Sequence, residues 1–188
     1  MTPDQVRGDG DPVPGDGPAP LIVTAELPAD LQAWANALRR EHYPPERTRV
    51  DAHVTLFHAL PPSCEAELHE LLAAAVRDHA PVPARIEGVV SLGRGTALRI
   101  ESPAMLALRR ELADRLHGLL SVQDAPEPRL HATIQNKVSP KEARALQDKL
   151  AGEVVPRDFR FAGLALHRYR GGPWEAVRSF AFRGRNGA

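Results

Sequence analysis

Two histidine–threonine pairs are the residues best suited to carry out chemistry in this sequence. His53 and Thr55 lie two positions apart in an apolar segment, and His131 and Thr133 repeat that pattern 78 residues later. Alternate residues of a β-strand point to the same face, so each pair would direct an imidazole and a hydroxyl into one space. Two such pairs facing each other would supply two titratable nitrogens and two hydroxyl donors. These groups suit acid–base chemistry at a phosphate.

The surroundings of the two pairs indicate an internal duplication. Short similar segments recur at offsets of 75 to 79 residues: 26–29 with 101–104, 85–88 with 160–163, and 97–99 with 176–178. The chain therefore reads as two diverged units, at about residues 21–93 and 94–183. Two copies are typical of a domain with paired lobes rather than of an extended repeat array.

Length and composition predict one compact domain at residues 21–183. The chain has 188 residues, of which 43% are hydrophobic and 26% are charged, as expected for a globular protein. The formal net charge is zero, which argues against broad electrostatic attraction to long nucleic acid. A small anionic ligand, or one end of an RNA, is therefore expected rather than a duplex.

The two ends and the single cysteine complete the domain prediction. Residues 1–20 are rich in Gly, Pro and Asp and predict a disordered tail, and residues 184–188 form a short C-terminal tail. Cys64 is the one cysteine, so no disulfide can form within the chain and a reducing compartment is expected. Because no signal peptide or membrane-spanning apolar run is visible, we expect a cytoplasmic monomer that does not bind membranes.

Strand and helix patterns alternate along both units. We expect strands at about 21–27, 52–60, 84–92, 96–101, 129–138, 159–169 and 175–182, with helices after Pro28, Ser63, Pro103 and Ser139. The closing strands of each unit read as hairpins, joined by glycine-rich turns at 93–95 and 171–172. This order favours an α+β fold with mixed or antiparallel sheets over a doubly wound parallel sheet.

Paired His-x-Thr motifs in a pseudo-symmetric chain of this size resemble the two-histidine phosphoesterase superfamily, which includes 2′-5′ RNA ligases and cyclic phosphodiesterases. The resemblance covers about residues 20–183. It implies two similar lobes, each an antiparallel sheet with flanking helices, around a central groove. It also implies that His53 and His131 are the catalytic histidines and that Thr55 and Thr133 hold the phosphate.

The chemistry of these residues agrees with that resemblance. Opening a 2′,3′-cyclic phosphate requires a base that takes a proton from water and an acid that protonates the departing ribose oxygen. Histidine has an unperturbed pKa of about 6.5 and can fill either role. The reverse reaction, with a ribose hydroxyl or a 5′-hydroxyl as nucleophile, is ligation. The sequence is compatible with either direction and with either assignment of acid and base.

Three residues near the last glycine turn are candidates for binding the nucleoside. Tyr169, Arg170 and Trp174 could stack on a base and contact a phosphate, although a hairpin that packs on its own lobe explains them equally well. His58 should face away from His53, because it is an odd number of positions along the strand. No pair of His or Cys residues has the spacing of metal ligands, so we expect neither a metal nor another cofactor.

The sequence therefore predicts a phosphoesterase or 2′-5′ RNA ligase-like enzyme that acts on a 2′,3′-cyclic phosphate or a 2′-5′ phosphodiester of RNA or nucleotides. The alternative is a non-catalytic protein that binds RNA ends or nucleotides in the same groove. A metallohydrolase is a weaker alternative.

Overall fold

The computed structural model describes residues 18–47 and 50–185 and contains eight strands and four α-helices in those ranges. Their order is β1 Leu21–Glu26, α1 Ala29–His42, β2 Val54–Leu60, α2 Glu65–Asp78, β3 Val82–Ser91, β4 Thr96–Glu101, α3 Pro103–Arg115, β5 His131–Gln135, α4 Pro140–Ala151, β6 Arg157–Phe161, β7 Gly163–Arg168 and β8 Glu175–Ala181. Short 3₁₀ turns at Pro45–Arg47 and Pro62–Cys64 precede β2 and α2.

The strands form two antiparallel four-stranded sheets. The first sheet has the order β2-β1-β7-β8 and the second has the order β5-β4-β3-β6. The two motif strands, β2 and β5, are edge strands of their sheets and contact each other across the lobes. This architecture confirms the expected α+β fold with two lobes, each an antiparallel sheet with flanking helices.

The sheets do not coincide with the two sequence units, because the chain exchanges strands between the lobes. Strand β3, from the first unit, pairs with β4 and β6 in the second sheet, and β7 returns to pair with β1 in the first sheet, where β8 pairs with β7. Each lobe is therefore built from both halves of the chain. Separating the halves would break a ladder of backbone hydrogen bonds in each sheet.

The segment that crosses between the sheets differs from the sequence expectation. We expected one strand over residues 159–169, whereas the structure has β6 in the second sheet and β7 in the first. The break lies at Ala162, whose N–H donates to Glu26 O and whose carbonyl accepts from Phe182 N. A Cβ on Gly163 would lie 2.4 Å from Phe180 O, so only glycine allows this close approach.

The motif strands are anchored by the hydrophobic core. The residues on the face opposite the histidines and threonines include Val54 and Leu56 in β2 and Ala132 and Ile134 in β5, and all four are fully buried. They belong to one apolar cluster that extends through both sheets and the four helices. Truncation of a buried leucine such as Leu56 to alanine typically costs about 2–5 kcal/mol. The core thus fixes which strand face is directed toward the site.

The ordered fold reaches slightly beyond residues 21–183 at both ends. Pro20 O accepts a hydrogen bond from Tyr169 N, and Gly184 N donates to His79 O. The rest of the predicted tails, at residues 1–17 and 186–188, lies outside the described residues. Within the described ranges, no helix combines the length and apolarity needed to cross a bilayer.

The N-terminus of α4 is capped by side-chain hydrogen bonds. Ser139 caps α4 by accepting a hydrogen bond from Glu142 N, while the Glu142 carboxylate accepts one from Ser139 N. This reciprocal pair is a capping box, and it lies where the sequence predicted the start of a helix after Ser139. It positions the helix that follows the second motif strand.

Candidate active site

The two motif histidines are held by matching backbone contacts. His53 directly precedes β2, and its Nδ1 lies 2.7 Å from Asp51 O. His131 opens β5, and its Nδ1 lies 2.7 Å from Arg129 O. A carbonyl oxygen can only accept, so Nδ1 carries the hydrogen in both rings and Nε2 holds the lone pair of the neutral form. Nε2 is therefore the nitrogen that can take up a proton and return it.

The motif threonines lie on the same strand faces as the histidines. The Oγ1 atom of Thr55 is buried and has no hydrogen-bond partner within residues 18–47 and 50–185. Thr133 is also buried, and its backbone carbonyl accepts a hydrogen bond from a guanidinium. A buried hydroxyl that lacks a protein partner is costly, so Thr55 is suited to donate to an oxygen of a ligand.

Residues from both motifs line one cavity of about 240 Å³, which we call the central cavity. His53 contributes from the first motif and Thr133 from the second, and Tyr169 and Trp174 line the same space. His131 lines a different cavity, of about 550 Å³, which we call the His131 cavity. Thr55 and Arg170 line neither of these two cavities.

The central cavity has positive groups that the sequence analysis missed. Arg39, Arg47 and Lys137 line it, with Glu46 as the one acidic residue among the lining side chains that the structure describes. Lys137 lies two residues after the second motif strand and adopts a left-handed backbone with φ 59°, which is uncommon for a residue with a side chain. Strained residues of this kind cluster at functional sites. The positive charge suits a phosphate ligand.

Two buried arginines connect the lobes reciprocally at the motif strands. Arg39 of α1 donates to Thr133 O at 2.7 Å, and Arg109 of α3 donates through Nε to Leu56 O at 3.2 Å. Each helix thereby holds the motif strand of the opposite sheet. Burial lowers the pKa of Arg109, although the carboxylates of Asp124 and Glu127 oppose that effect. In the sequence, the role of Arg109 was indicated only by its position among the regularly spaced apolar residues of α3.

A third histidine lies beside the first motif. The indole of Trp174 packs between two imidazoles, with ring centroids 4.3 Å from His53 and 5.5 Å from His167. Nε2 of His167 lies 3.1 Å from Oγ1 of Thr24. Burial, and secondarily the charge of His53, lowers the pKa of His167 to about 4, so this imidazole is neutral near pH 7. His167 gave no sequence signal, because it lies in an otherwise ordinary apolar strand.

The closing hairpin places its three candidate residues differently. Tyr169 is buried and Trp174 is half-buried, and both reach the central cavity. Arg170 is exposed and pairs with Glu175, with Nε 2.5 Å from Oε2. That pairing, and secondarily the charge of Arg168, lowers the pKa of Glu175. The structure thus brings Tyr169 and Trp174, but not Arg170, into the space that His53 lines.

His58 contacts an aspartate of the loop before the second motif. Its Nδ1 lies 3.0 Å from Oδ1 of Asp124, and the backbone N–H groups of His58 and Ala59 donate to the same carboxylate. Burial raises the pKa of Asp124, but these hydrogen bonds outweigh it and hold the pKa below its usual range. His58 therefore anchors the loop before the second motif to β2.

Metal ligation requires several donor side chains grouped around one point. Among residues 18–47 and 50–185, no three His, Cys, Asp or Glu side chains are close enough together to hold an ion. The described part of the chain thus offers two histidines for proton transfer and several cationic groups for an anion.

A family model described as the 2′-5′ RNA ligase superfamily matches residues 27–173. The chain belongs to the 2′-5′ RNA ligase superfamily. The match spans both histidine–threonine pairs and confirms the resemblance on which the sequence analysis relied. A search of curated protein sequences gave no significant match.

Solved structures with the same fold agree with this membership. The protein TT0787 of Thermus thermophilus has a TM-score of 0.61 at 19% identity, covering 89% of this chain and 100% of that one. E. coli LigT complexed with 3′-AMP has a TM-score of 0.59 at 18% identity, covering 88% and 99%. LigT complexed with NADP+ has a TM-score of 0.57 at 17% identity and covers the same shares. At these identities the likeness establishes the fold.

Proposed function

We propose that this member of the 2′-5′ RNA ligase superfamily is a phosphoesterase that acts on a 2′,3′-cyclic phosphate or a 2′-5′ phosphodiester of RNA or nucleotides. The matched hydrogen bonds of His53 and His131 to backbone carbonyls carry this proposal. They give both imidazoles the same tautomer at the starts of two contacting strands, which supports their proposed roles as acid and base. A structural histidine has no need of such matched orientation in both units.

In the proposed reaction, one neutral imidazole takes a proton from the attacking water or hydroxyl through Nε2. The other imidazole, protonated at the start, gives its Nε2 proton to the departing ribose oxygen. The two histidines exchange protonation states in a turnover, and proton exchange with solvent resets them. The same groups in the opposite direction would catalyse ligation. Neither direction needs a metal or another cofactor in this scheme.

The threonines and the cationic groups are proposed to stabilise the phosphate. Thr55 and Thr133 donate to the non-bridging oxygens, on which charge accumulates in the transition state. The buried Oγ1 of Thr55, which lacks a partner in the described residues, supports this role. Lys137 and Arg39 add positive charge to the central cavity.

Substrate binding is proposed to involve the closing hairpin and a small nucleotide or an RNA end. Tyr169 and Trp174 line the cavity that His53 lines, which supports a contact with the nucleoside. The corresponding role of Arg170 remains a prediction, since that side chain pairs with Glu175. Structures of LigT with 3′-AMP, with ATP and with NADP+ support the choice of nucleotides as ligands. We further propose that the protein acts as a cytoplasmic monomer.

A substrate panel tests this function directly. Purified protein is incubated with 2′,3′-cyclic mononucleotides, RNA carrying a 2′,3′-cyclic phosphate end, and 2′-5′ dinucleotides, before and after extended treatment with a chelator. We expect turnover of at least one substrate at a rate that the chelator does not change. Binding without turnover across the panel would favour the non-catalytic nucleotide binder. A chelator-sensitive rate that zinc or manganese restores would favour a metallohydrolase.

A further inference from the structure

The duplication creates two equivalent cavities, one beside each motif histidine. The first, which we call the Trp174 cavity, has about 240 Å³ and is lined by Thr24, Glu26 and His53. The His131 cavity is lined by residues at the repeat-equivalent positions, which are Arg99, Glu101 and His131. The offsets are 75 residues for the strand positions and 78 for the histidines. Both cavities thus lie between the first strand of a unit and its motif.

Strand register identifies which residues replace one another in the two cavities. In the first sheet, His167 of β7 pairs with Ile22 of β1. In the second, Val90 of β3 pairs with Ala97 of β4, and position 97 is the repeat equivalent of position 22. Val90 therefore occupies in the His131 cavity the place that His167 occupies in the Trp174 cavity.

The two cavities differ in what fills them. The indole of Trp174 and the imidazole of His167 pack 5.5 Å apart in the first cavity. The side chains that line the His131 cavity include no Phe, Tyr or Trp, and its volume is about 550 Å³. That volume lies within the usual range of about 300–1,000 Å³ for small-ligand sites. The site is thus asymmetric, with space on the side of the second histidine.

We propose that the His131 cavity is a nucleobase subsite, which receives the base of the nucleotide whose phosphate lies at the motif histidines. This inference rests on the proposed function. The cavity walls include Val89, Val90 and Leu106, which form an apolar surface for a flat aromatic ring. An occupant joined to a phosphate fits this cavity, because His131, one of the two motif histidines, is among its lining residues.

Charge at the cavity also suits a nucleotide. Arg99 and Arg129 are exposed and line the cavity, where their guanidinium groups attract an anionic ligand and can stack on a base. Glu101 lies beside Arg99, with an Nη1–Oε1 distance of 3.6 Å, and offers an acceptor to a ribose hydroxyl. Apolar walls tolerate any base, so we expect little selectivity among the four.

The experiment fills the His131 cavity with a bulky side chain. It then compares the binding of a nucleotide with the binding of inorganic phosphate alone. Val90→Trp supplies the His131 cavity with the indole that its counterpart already contains, and Leu106→Trp fills it from a different element. Isothermal titration calorimetry measures the Kd of adenosine 3′-monophosphate and the Kd of inorganic phosphate. Val155→Trp, at a position that is 74% exposed elsewhere on the surface, is the matched control.

Either filled variant that keeps the wild-type melting temperature should raise the Kd of adenosine 3′-monophosphate about tenfold or more, the loss expected when a stacked base is displaced. The Kd of that variant for inorganic phosphate should change by less than about twofold, since the new side chain does not reach the phosphate. For the control Val155→Trp, the Kd of each ligand should likewise change by less than about twofold. Unchanged nucleotide affinity in a folded variant, or equal weakening of both ligands, would overturn the subsite.

The two proposals fail in different ways. If the substrate panel shows no turnover, the proposed reaction is wrong, yet the calorimetry still measures the subsite. If turnover is present and a folded Val90→Trp protein binds adenosine 3′-monophosphate normally, the reaction stands and the subsite is wrong.

Discussion

His53 and His131 are held in the same way, each with Nδ1 2.7 Å from the carbonyl oxygen two residues earlier in the chain. In many enzymes a carboxylate orients the catalytic imidazole, whereas in this protein backbone carbonyls orient both motif imidazoles. The backbone carbonyl fixes the tautomer without placing a full negative charge beside the ring. Since both rings are oriented alike, either one can begin the proposed reaction as the acid or as the base.

Replacement of either motif histidine should remove one proton transfer. His53→Ala and His131→Ala are each expected to lower kcat by about two to four orders of magnitude, the usual contribution of a general acid or base. The wild-type rate should follow a bell-shaped pH profile. His117→Ala, at an exposed position after α3, is the matched control and should retain full activity. Full activity in either motif variant would falsify the mechanism.

Thr55 provides a sharper test of phosphate stabilisation. Thr55→Val keeps the shape of the side chain but removes the buried hydroxyl, and should lower kcat by about two to three orders of magnitude. Thr55→Ser keeps the hydroxyl and should recover most of the rate. The melting temperature of the valine variant should not fall, since no described residue loses a hydrogen bond. Equal rates for valine and serine would show that the hydroxyl has no part in the reaction.

The cross-lobe arginines should support stability and geometry together. Arg39→Met removes the guanidinium that donates to the carbonyls of Val50 and Thr133, and the loss of the buried bond to Thr133 O should cost about 1–3 kcal/mol. We expect a lower melting temperature and a lower kcat, because Thr133 shifts with its strand. Arg110→Met removes an exposed guanidinium that pairs with Glu127, and should change neither quantity measurably.

His167 predicts a pH dependence of folding. Its folded-state pKa of about 4 lies below the unfolded value of about 6.5, so the unfolded chain binds the proton first as pH falls. The contribution of this residue to stability is therefore complete above about pH 6.5 and declines as the pH falls toward about 4. Denaturant titrations should show a shallower decline for His167→Gln across this window. Parallel curves for the two proteins would mean that His167 titrates normally in the folded state.

Motif spacing and alternation were sufficient to predict the two lobes, the strand faces and the histidine–threonine pairs. These features depend on local periodicity and on the offset between the units, both of which are visible in a single sequence. The transition from β6 to β7 was missed, since the apolar pattern continues through Ala162 although the chain changes sheets there. Arg39 and His167 were missed for a related reason. Their partners, Thr133 and Thr24, are distant in sequence, and only tertiary packing brings them together.

Trp174 can act through substrate binding, through support of His53, or through packing alone, and the three roles make different predictions. Its ring lies 4.3 Å from the His53 ring and lines the central cavity, and its Nε1 atom is buried without a partner in the described residues. We expect Trp174→Ala to raise KM for 2′-5′ dinucleotides about tenfold, in line with the loss of one ring stacked on the base that the His131 cavity does not hold. A smaller fall in kcat should follow, because the His53 imidazole loses its neighbour.

Trp34 is the matched control, since it is the other tryptophan and packs partly buried against the core from α1. Trp34→Ala should lower the melting temperature and leave KM unchanged, which is the opposite pattern. Trp174→Phe keeps an aromatic face but removes the indole N–H, so it should recover most of KM if the contact is stacking. If Trp174→Ala instead behaves like Trp34→Ala, the ring is a packing element of the hairpin. The nucleoside contacts would then lie elsewhere in the groove.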